Sequence, residues 1–143
     1  MWLKLNLSGI RLSMQIRNYR RTSEEDWLSV WCKTDFSFVA DKWLNYCEDD
    51  SEVFLAREIE DLAKSLDDLL NDRLTAPTEF NCIEPDFNFI LNPKKDLWLD
   101  PKVLYVRPGC EIVDIDMEWK ISFWHDGLTA NYLSVTLNRT DIE

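Results

Sequence analysis

The chain has 143 residues, of which 45% are hydrophobic and 30% are charged, and its formal net charge at pH 7 is −11. This length and composition predict one globular domain spanning residues 1–143 and exclude an intrinsically disordered chain. The negative charge disfavours binding to nucleic acid or to anionic membranes, and it favours a basic protein as partner.

No run of apolar residues is long enough to cross a membrane. The first twelve residues lack the apolar core and the small-residue cleavage site of a signal peptide, so we expect a cytoplasmic protein. Cys32, Cys47, Cys82 and Cys110 form no C-x-x-C pair, and only His125 is available to join them in a metal site. We therefore expect reduced, mostly buried thiols and no bound metal.

The first part of the chain has the two-residue alternation of half-buried strands. Apolar and polar residues alternate over Trp2–Leu7 and over Ile10–Arg17, and Ser8-Gly9 between them is a turn signal, which together predict a β-hairpin. After a polar loop, two more strands are predicted at Trp27–Thr34 and Phe36–Ala40, with a weak turn between them.

Residues 52–72 have the 3.6-residue period of an amphipathic helix. Seven apolar residues lie within an arc of about 120°. They are Leu55, Ile59, Leu62, Ala63, Leu66, Leu69 and Leu70. Ser51 is the expected N-cap, and Glu52 places a negative charge near the positive end of the helix dipole. We expect this apolar stripe to be buried against a sheet.

Downstream of the helix the alternation returns, and residues 138–143 are expected to fray. Five strands are predicted, at 80–84, 86–91, 103–106, 113–123 and 133–137. The longest has one apolar face and one charged face, which is typical of an antiparallel sheet with one side in water. The order of elements indicates an α+β fold. We expect a mainly antiparallel, strongly twisted sheet or a two-sheet sandwich of about eight strands, packed on a single helix.

Few residues offer the chemistry of an active site. The single histidine, His125, lies in a turn beside Asp126, and no nucleophile motif, phosphate-binding glycine loop or metalloprotease motif occurs. Asp114, Asp116 and Glu118 share one strand face, where a solvated surface is a simpler interpretation than a cation site. We expect no catalytic residue, no cofactor and no metal, and an enzyme is the least favoured functional hypothesis.

Charge is unevenly distributed along the chain. Residues 1–23 contain five basic residues and no acid, whereas residues 48–72 contain ten acids and two basic residues. Either the two segments neutralise each other within the fold, or the acids form a docking surface for a basic partner. The docking hypothesis names five partner-binding candidates: Asp49, Asp50, Asp61, Asp68 and Asp72.

Glu84 is a candidate of a different kind, a structural carboxylate. In the alternating run it shares a face with Phe80 and Cys82. If that face is the core, Glu84 is buried or half-buried and needs a partner. An arginine of the N-terminal segment is the expected partner.

Three segments together resemble a known family. They are a strand ending at Tyr19 with a polar loop leading to Asp26-Trp27-Leu28-Ser29-Val30, the helix at Leu55–Leu70, and the run Phe80–Phe89 with sequence FNCIEPDFNF. In this order and spacing, roughly over residues 9–138, the chain resembles the WapI-like immunity family of bacterial contact-dependent toxin systems.

The resemblance implies a small cytoplasmic protein that binds and neutralises a cognate toxin, often a nuclease, and it carries over no catalytic residue. A basic toxin surface fits an acidic protein through fast, salt-sensitive association. The alternative hypothesis is a housekeeping binding domain or a homodimer without a toxin partner. The homodimer would form through an aromatic sheet face of Trp27, Trp31 and Trp124.

Overall fold

The computed structural model describes residues 2–7, 9–21, 23, 30–96, 101–102, 104, 107, 111–112, 116–123 and 131–143. The strands are β1 (Trp2–Leu7), β2 (Ile10–Arg17), β3 (Trp31–Ala40), β4 (Leu44–Leu55), β5 (Thr78–Asn81), β6 (Phe87–Leu91), β7 (Lys95–Asp96), β8 (Glu111–Ile112), β9 (Met117–Ser122) and β10 (Tyr132–Leu137). The helices are α1 (Ala56–Leu70) and α2 (Arg139–Ile142). Most of the strand predicted at 103–106 lies outside the described residues.

Two four-stranded antiparallel sheets face each other as a sandwich. The first has the order β1-β2-β3-β4, the second has the order β10-β9-β6-β5, and β7 and β8 form a separate ribbon. The predicted α+β class with a two-sheet antiparallel architecture is therefore confirmed. The first hairpin has its predicted bounds, and Gly9 in its turn has a φ of 94°, a conformation that favours glycine.

The turn predicted near Thr34 does not exist, because β3 is one unbroken strand. Thr34 lies opposite Ile16 of β2 and is fully buried. Against β4, however, the register shifts on both sides of Thr34. The irregularity that the sequence suggested is thus a bulge in the pairing with β4 and not a change of direction.

Aromatic rings fill much of the space between the sheets. Phe36 and Phe54 of the first sheet each lie with their ring centroid 5.2 Å from that of Phe87 in the second sheet. Phe38 meets Trp119 edge to face at 6.0 Å. Such pairs contribute about 0.5–1.5 kcal/mol each beyond the burial of their area. The inward faces of the strands therefore bind the two sheets together.

Helix α1 joins the first sheet to the second and begins at Ala56, four residues later than predicted. Phe54 and Leu55 belong to β4, where they are buried and lie opposite residues of β3. Sheet pairing keeps these residues extended although they fit the helical period. The N-cap position is accordingly Leu55 and not Ser51.

A buried carboxylate holds the start of α1. Glu58 is 8% exposed and accepts hydrogen bonds from the backbone N–H of Leu55 at 2.8 Å and from that of Ile83 at 2.6 Å. Leu55 ends β4 and Ile83 follows β5, so this one side chain links the helix to both sheets. Its negative charge also lies in the first turn of the helix, where the helix dipole favours it.

Glu84, expected to be a structural carboxylate, lies half-buried in the turn after β5. The strand ends at Asn81, so the alternation with Phe80 does not extend to Glu84. Among the described residues no hydrogen bond or ion pair of Glu84 occurs. The linking role belongs to Glu58, and a structural role for Glu84 stays a prediction.

The C-terminal residues 138–143 were expected to fray, but they form the short helix α2, which Asn138 caps. Arg139 donates hydrogen bonds to the last backbone carbonyls of α1, at 3.0 Å to Leu69 and 3.1 Å to Leu70. These bonds satisfy two of the carbonyl groups that a helix end leaves without an intrahelical donor. The end of the chain is therefore anchored on the end of α1.

Asp116, in the row of acids predicted to face water, is 1% exposed, so that prediction is wrong for this residue. Its carboxylate accepts a hydrogen bond from the backbone N–H of Arg139 at 2.8 Å, and the Arg139 Nε lies 3.5 Å away. The cation and the backbone donor compensate for the burial of the charge. Asp114 of the same row lies outside the described residues.

Replacing Glu58 with alanine should lower the free energy of unfolding by about 2–4 kcal/mol, because one buried and one partly buried N–H group lose a charged acceptor. Urea unfolding followed by circular dichroism measures the change. The matched control is Glu52→Ala, which removes an exposed β4 carboxylate that pairs with Lys33 at 2.9 Å and should have little effect. Equal losses in the two variants would show that Glu58 does not link the helix to the sheets.

Candidate functional site

The structure places the five acidic candidates on two elements. Asp49 and Asp50 are exposed on β4, which is an edge strand of the first sheet. Asp61 and Asp68 lie on α1, and Asp72 lies just beyond its end. All five belong to the acidic segment 48–72. The cations that pair with them within the chain determine how much of their charge is available to a partner protein.

Asp50 is shared between two cations. Arg17 of β2 lies 3.2 Å from its carboxylate and Lys33 of β3 lies 3.8 Å from it. Arg17 also pairs with Asp35 at 2.6 Å, and that carboxylate accepts the backbone N–H of Asp50 as well. The Asp50 N–H, with Arg17, lowers the pKa of Asp35. Here the basic N-terminal segment does neutralise the acidic one within the fold.

Two acids of α1 have basic neighbours on or beside the helix. Asp61 pairs with Arg57 at 3.0 Å, one turn earlier, and Asp68 pairs with Arg73 at 2.7 Å. Both pairs are partly exposed to solvent, where ion pairs stabilise a fold only weakly. In the described part of the chain, Asp49 alone of the five candidates has no ion pair.

Asp72 adopts the left-handed conformation, with a φ of 55°, at the point where the chain leaves α1. Its carboxylate contacts the guanidinium of Arg139, and Lys94 lies 3.5 Å away. The hydrogen bond from Arg139 holds the pKa of Asp72 below its usual range, and Lys94 adds to the effect. Asp72 thus belongs to the group that fixes α2 on α1.

Metal and thiol chemistry find little support in the described residues. No group of three or more His, Cys, Asp or Glu residues there could hold a metal ion. Cys32 and Cys82 are buried free thiols, and burial raises the pKa of both, which makes them poor nucleophiles. Cys47 is exposed, whereas Cys110 and His125 lie outside the described residues.

None of the helices in the described ranges is long and apolar enough to cross a membrane.

A feature that the sequence did not predict is an apolar groove beside α1, with a volume of about 260 Å³. Residues of β1, β2, α1 and α2 line it, and buried residues of both sheets lie at its floor. Every described lining residue is apolar except Asp141. Those contributed by β1 and α1 are Trp2, Leu3, Leu5, Ile59, Leu62, Ala63 and Leu66.

The groove is open because the apolar stripe of α1 is only partly buried. Leu69 is fully buried in the core, whereas Ile59, Leu62 and Leu66 are half-buried and Ala63 is exposed. The expectation that the stripe is buried against a sheet is therefore met only in part: Ile59, Leu62 and Leu66 pack against the core but stay half-buried, and Ala63 is exposed. Their apolar surface faces the groove.

Trp2 stands at the groove with 62% of its surface exposed, and the Nζ of Lys4 lies 5.4 Å from the centre of its ring. An exposed tryptophan continuous with an apolar groove is typical of a surface that binds another molecule. The two candidate sites are thus the acidic residues of β4 and α1, and the apolar groove.

The partial burial of the stripe predicts a graded response to truncation. Leu69→Ala should lower the free energy of unfolding by about 2–5 kcal/mol, because it leaves a cavity in the core. Leu62→Ala should have less than about half that effect, because its side chain already borders open space. Urea unfolding measures both, and a larger loss for Leu62→Ala would contradict the open groove.

The contact between Arg139 and Asp72 predicts a pH effect. Since the folded-state pKa of Asp72 is lowered, its stabilising contribution is complete above the ordinary carboxyl pKa of about 4 and is lost as the pH falls through the lowered value. Arg139→Gln should return the pKa of Asp72 towards the ordinary value, which a carboxyl NMR titration measures. Lys94→Gln, the matched control, should raise it less, and the reverse order would contradict the assignment.

One family model matches the chain, the Immunity protein WapI-like family, and it does so over residues 3–143. Neither a curated protein nor a solved structure matches. The match extends over almost every residue, including both sheets, α1 and α2, and it confirms the resemblance in the sequence. The chain belongs to the Immunity protein WapI-like family.

Proposed function

We propose that this protein binds a cognate bacterial toxin and neutralises it by occupying the surface that the toxin needs for its action. The family match over residues 3–143 is the observation that carries this proposal. An immunity protein works by binding, so it needs a complementary surface and no catalytic group. Because the toxin acts inside cells, the proposed place of action is the cytoplasm.

The net charge of −11 supports a basic toxin as the partner. A protein that holds phosphate groups, such as a nuclease, has a positive surface, and opposite net charges accelerate the encounter of two proteins. Acidic residues at the rim of an interface mainly change the association rate and its dependence on salt.

The five acidic candidates differ in how available their charges are to a partner protein. Asp49 is exposed on the β4 edge and has no ion pair among the described residues, so its charge is the most available to a partner. Asp50, Asp61, Asp68 and Asp72 have intramolecular cations. A basic partner must compete with those cations, which reduces what these four contribute to the complex.

The experiment measures binding of the purified protein to the toxin domain encoded beside its gene, by biolayer interferometry at several salt concentrations. We expect a stable complex whose association slows as salt is added, and we expect co-expression to restore growth of cells that produce the toxin. Absence of both binding and protection would overturn the proposal.

Asp49→Asn tests the acidic surface within this experiment. It should slow association about two- to threefold at low salt and leave dissociation nearly unchanged. The matched control is Glu79→Gln, because Glu79 already accepts a hydrogen bond from the side-chain amide of Asn88 at 3.0 Å and lies on β5, in the other sheet and outside the groove. A homodimer in sedimentation analysis, without toxin binding, would instead support the alternative function.

A further inference from the structure

Two surfaces of this protein are candidates for contact with a toxin, and they differ in what they offer. Most of the acidic candidates are already paired with cations of the same chain. The apolar groove has no such internal occupant in the described residues, and its walls keep apolar surface in contact with water. Binding that covers this surface gains free energy from the hydrophobic effect.

The floor of the groove consists of buried aromatic rings that pack on one another. Phe54, Phe89 and Trp119 lie there, each almost fully buried. The rings of Phe89 and Trp119 stack with centroids 5.4 Å apart, and those of Phe54 and Phe89 stack at 6.5 Å. A site built on packed rings does not need to be ordered when a partner arrives, which favours tight binding.

The size of the groove favours a side chain over a free ligand. Its volume of about 260 Å³ is below the roughly 300–1,000 Å³ of pockets that enclose drug-sized molecules. Protein interfaces, in contrast, depend on a few bulky side chains that fill desolvated pockets near the centre of the contact. One large apolar side chain of a partner protein therefore fits this site.

The charge around the groove indicates the kind of surface from which that side chain projects. Glu60 and Asp67 lie three residues before and four residues after Ala63, on the same side of α1, and Asp141 lines the groove from α2. Arg73 pairs with Asp67, and Lys4 lies beside Trp2 at the β1 end. With a net charge of −11 over the chain, the surroundings favour a basic surface.

We propose that the apolar groove is the docking site for a bulky apolar side chain, aromatic or leucine-like, that projects from a basic surface of the toxin. The proposal rests on the proposed function and names the part of the protein that holds the partner. The acids then accelerate the encounter, and the groove sets the lifetime of the complex.

Ala63→Trp tests the docking site, because Ala63 is exposed and lines the groove, so we expect a larger side chain there to lie over the groove and outside the buried core. The indole fills the groove and excludes the partner's side chain. In the interferometry experiment with the purified toxin domain, the dissociation rate constant should rise at least about tenfold, while the salt dependence of association is retained.

The matched control is Ala76→Trp, which makes the same substitution at an exposed residue outside the groove. It should bind like the wild type. Urea unfolding of both variants shows whether they are folded. Should Ala63→Trp fail to fold, Ala63→Lys with Ala76→Lys as its control gives the same comparison, because a cation at the groove repels a basic surface.

The outcomes separate the two proposals. If the wild type binds the toxin and Ala63→Trp binds equally well, the docking site is wrong and the immunity function stands. If the wild type does not bind the toxin at all, the function itself fails. If Ala63→Trp abolishes a dimer of this chain and leaves toxin binding unchanged, the groove holds a second copy and the docking proposal is overturned.

Discussion

The attachment of α1 at both ends is the constraint on which the rest of the structure depends. Glu58 joins the start of the helix to β4 and to the turn after β5, and Arg139 binds the carbonyls at its end. Both groups use charge-assisted hydrogen bonds, which are stronger and more directional than apolar contacts. The helix is therefore held where its ends require, even though this leaves part of its apolar stripe uncovered.

Ion pairs within the fold use many of the acidic side chains. Arg139 approaches α1 because Asp116 is buried beneath it and Asp72 lies beside it. Elsewhere, Arg17 of β2 and Lys33 of β3 form ion pairs with acids of β4 in the same sheet. Much of the acidic segment thus has a structural use, and a net charge of −11 does not translate into an equally large free acidic surface.

Under the proposed function, this arrangement divides binding into two physical parts. Long-range attraction depends on the net charge and survives local pairing, since an ion pair within the chain does not change the sum of charges. Short-range binding depends on the apolar surface that a partner buries and removes from contact with water. In the proposed complex, the net charge favours rapid encounter and the apolar groove favours slow dissociation.

The sequence by itself determined the fold class and several of the strands, because a two-residue alternation is a local property that β2, β9 and β10 show directly. It divided β3 in two and did not define β4. It also indicated the family through the run Phe80–Phe89. Only the tertiary structure decided that residues 52–55 are strand, since their pairing with β3 outweighs a helical pattern. Glu58 lies just outside the apolar arc of the helix, so the helical pattern did not indicate its burial, and its second donor, Ile83, is 25 residues away in the chain. The groove could not be read from any pattern, because it is a gap between elements whose spacing is set by contacts distant in the chain.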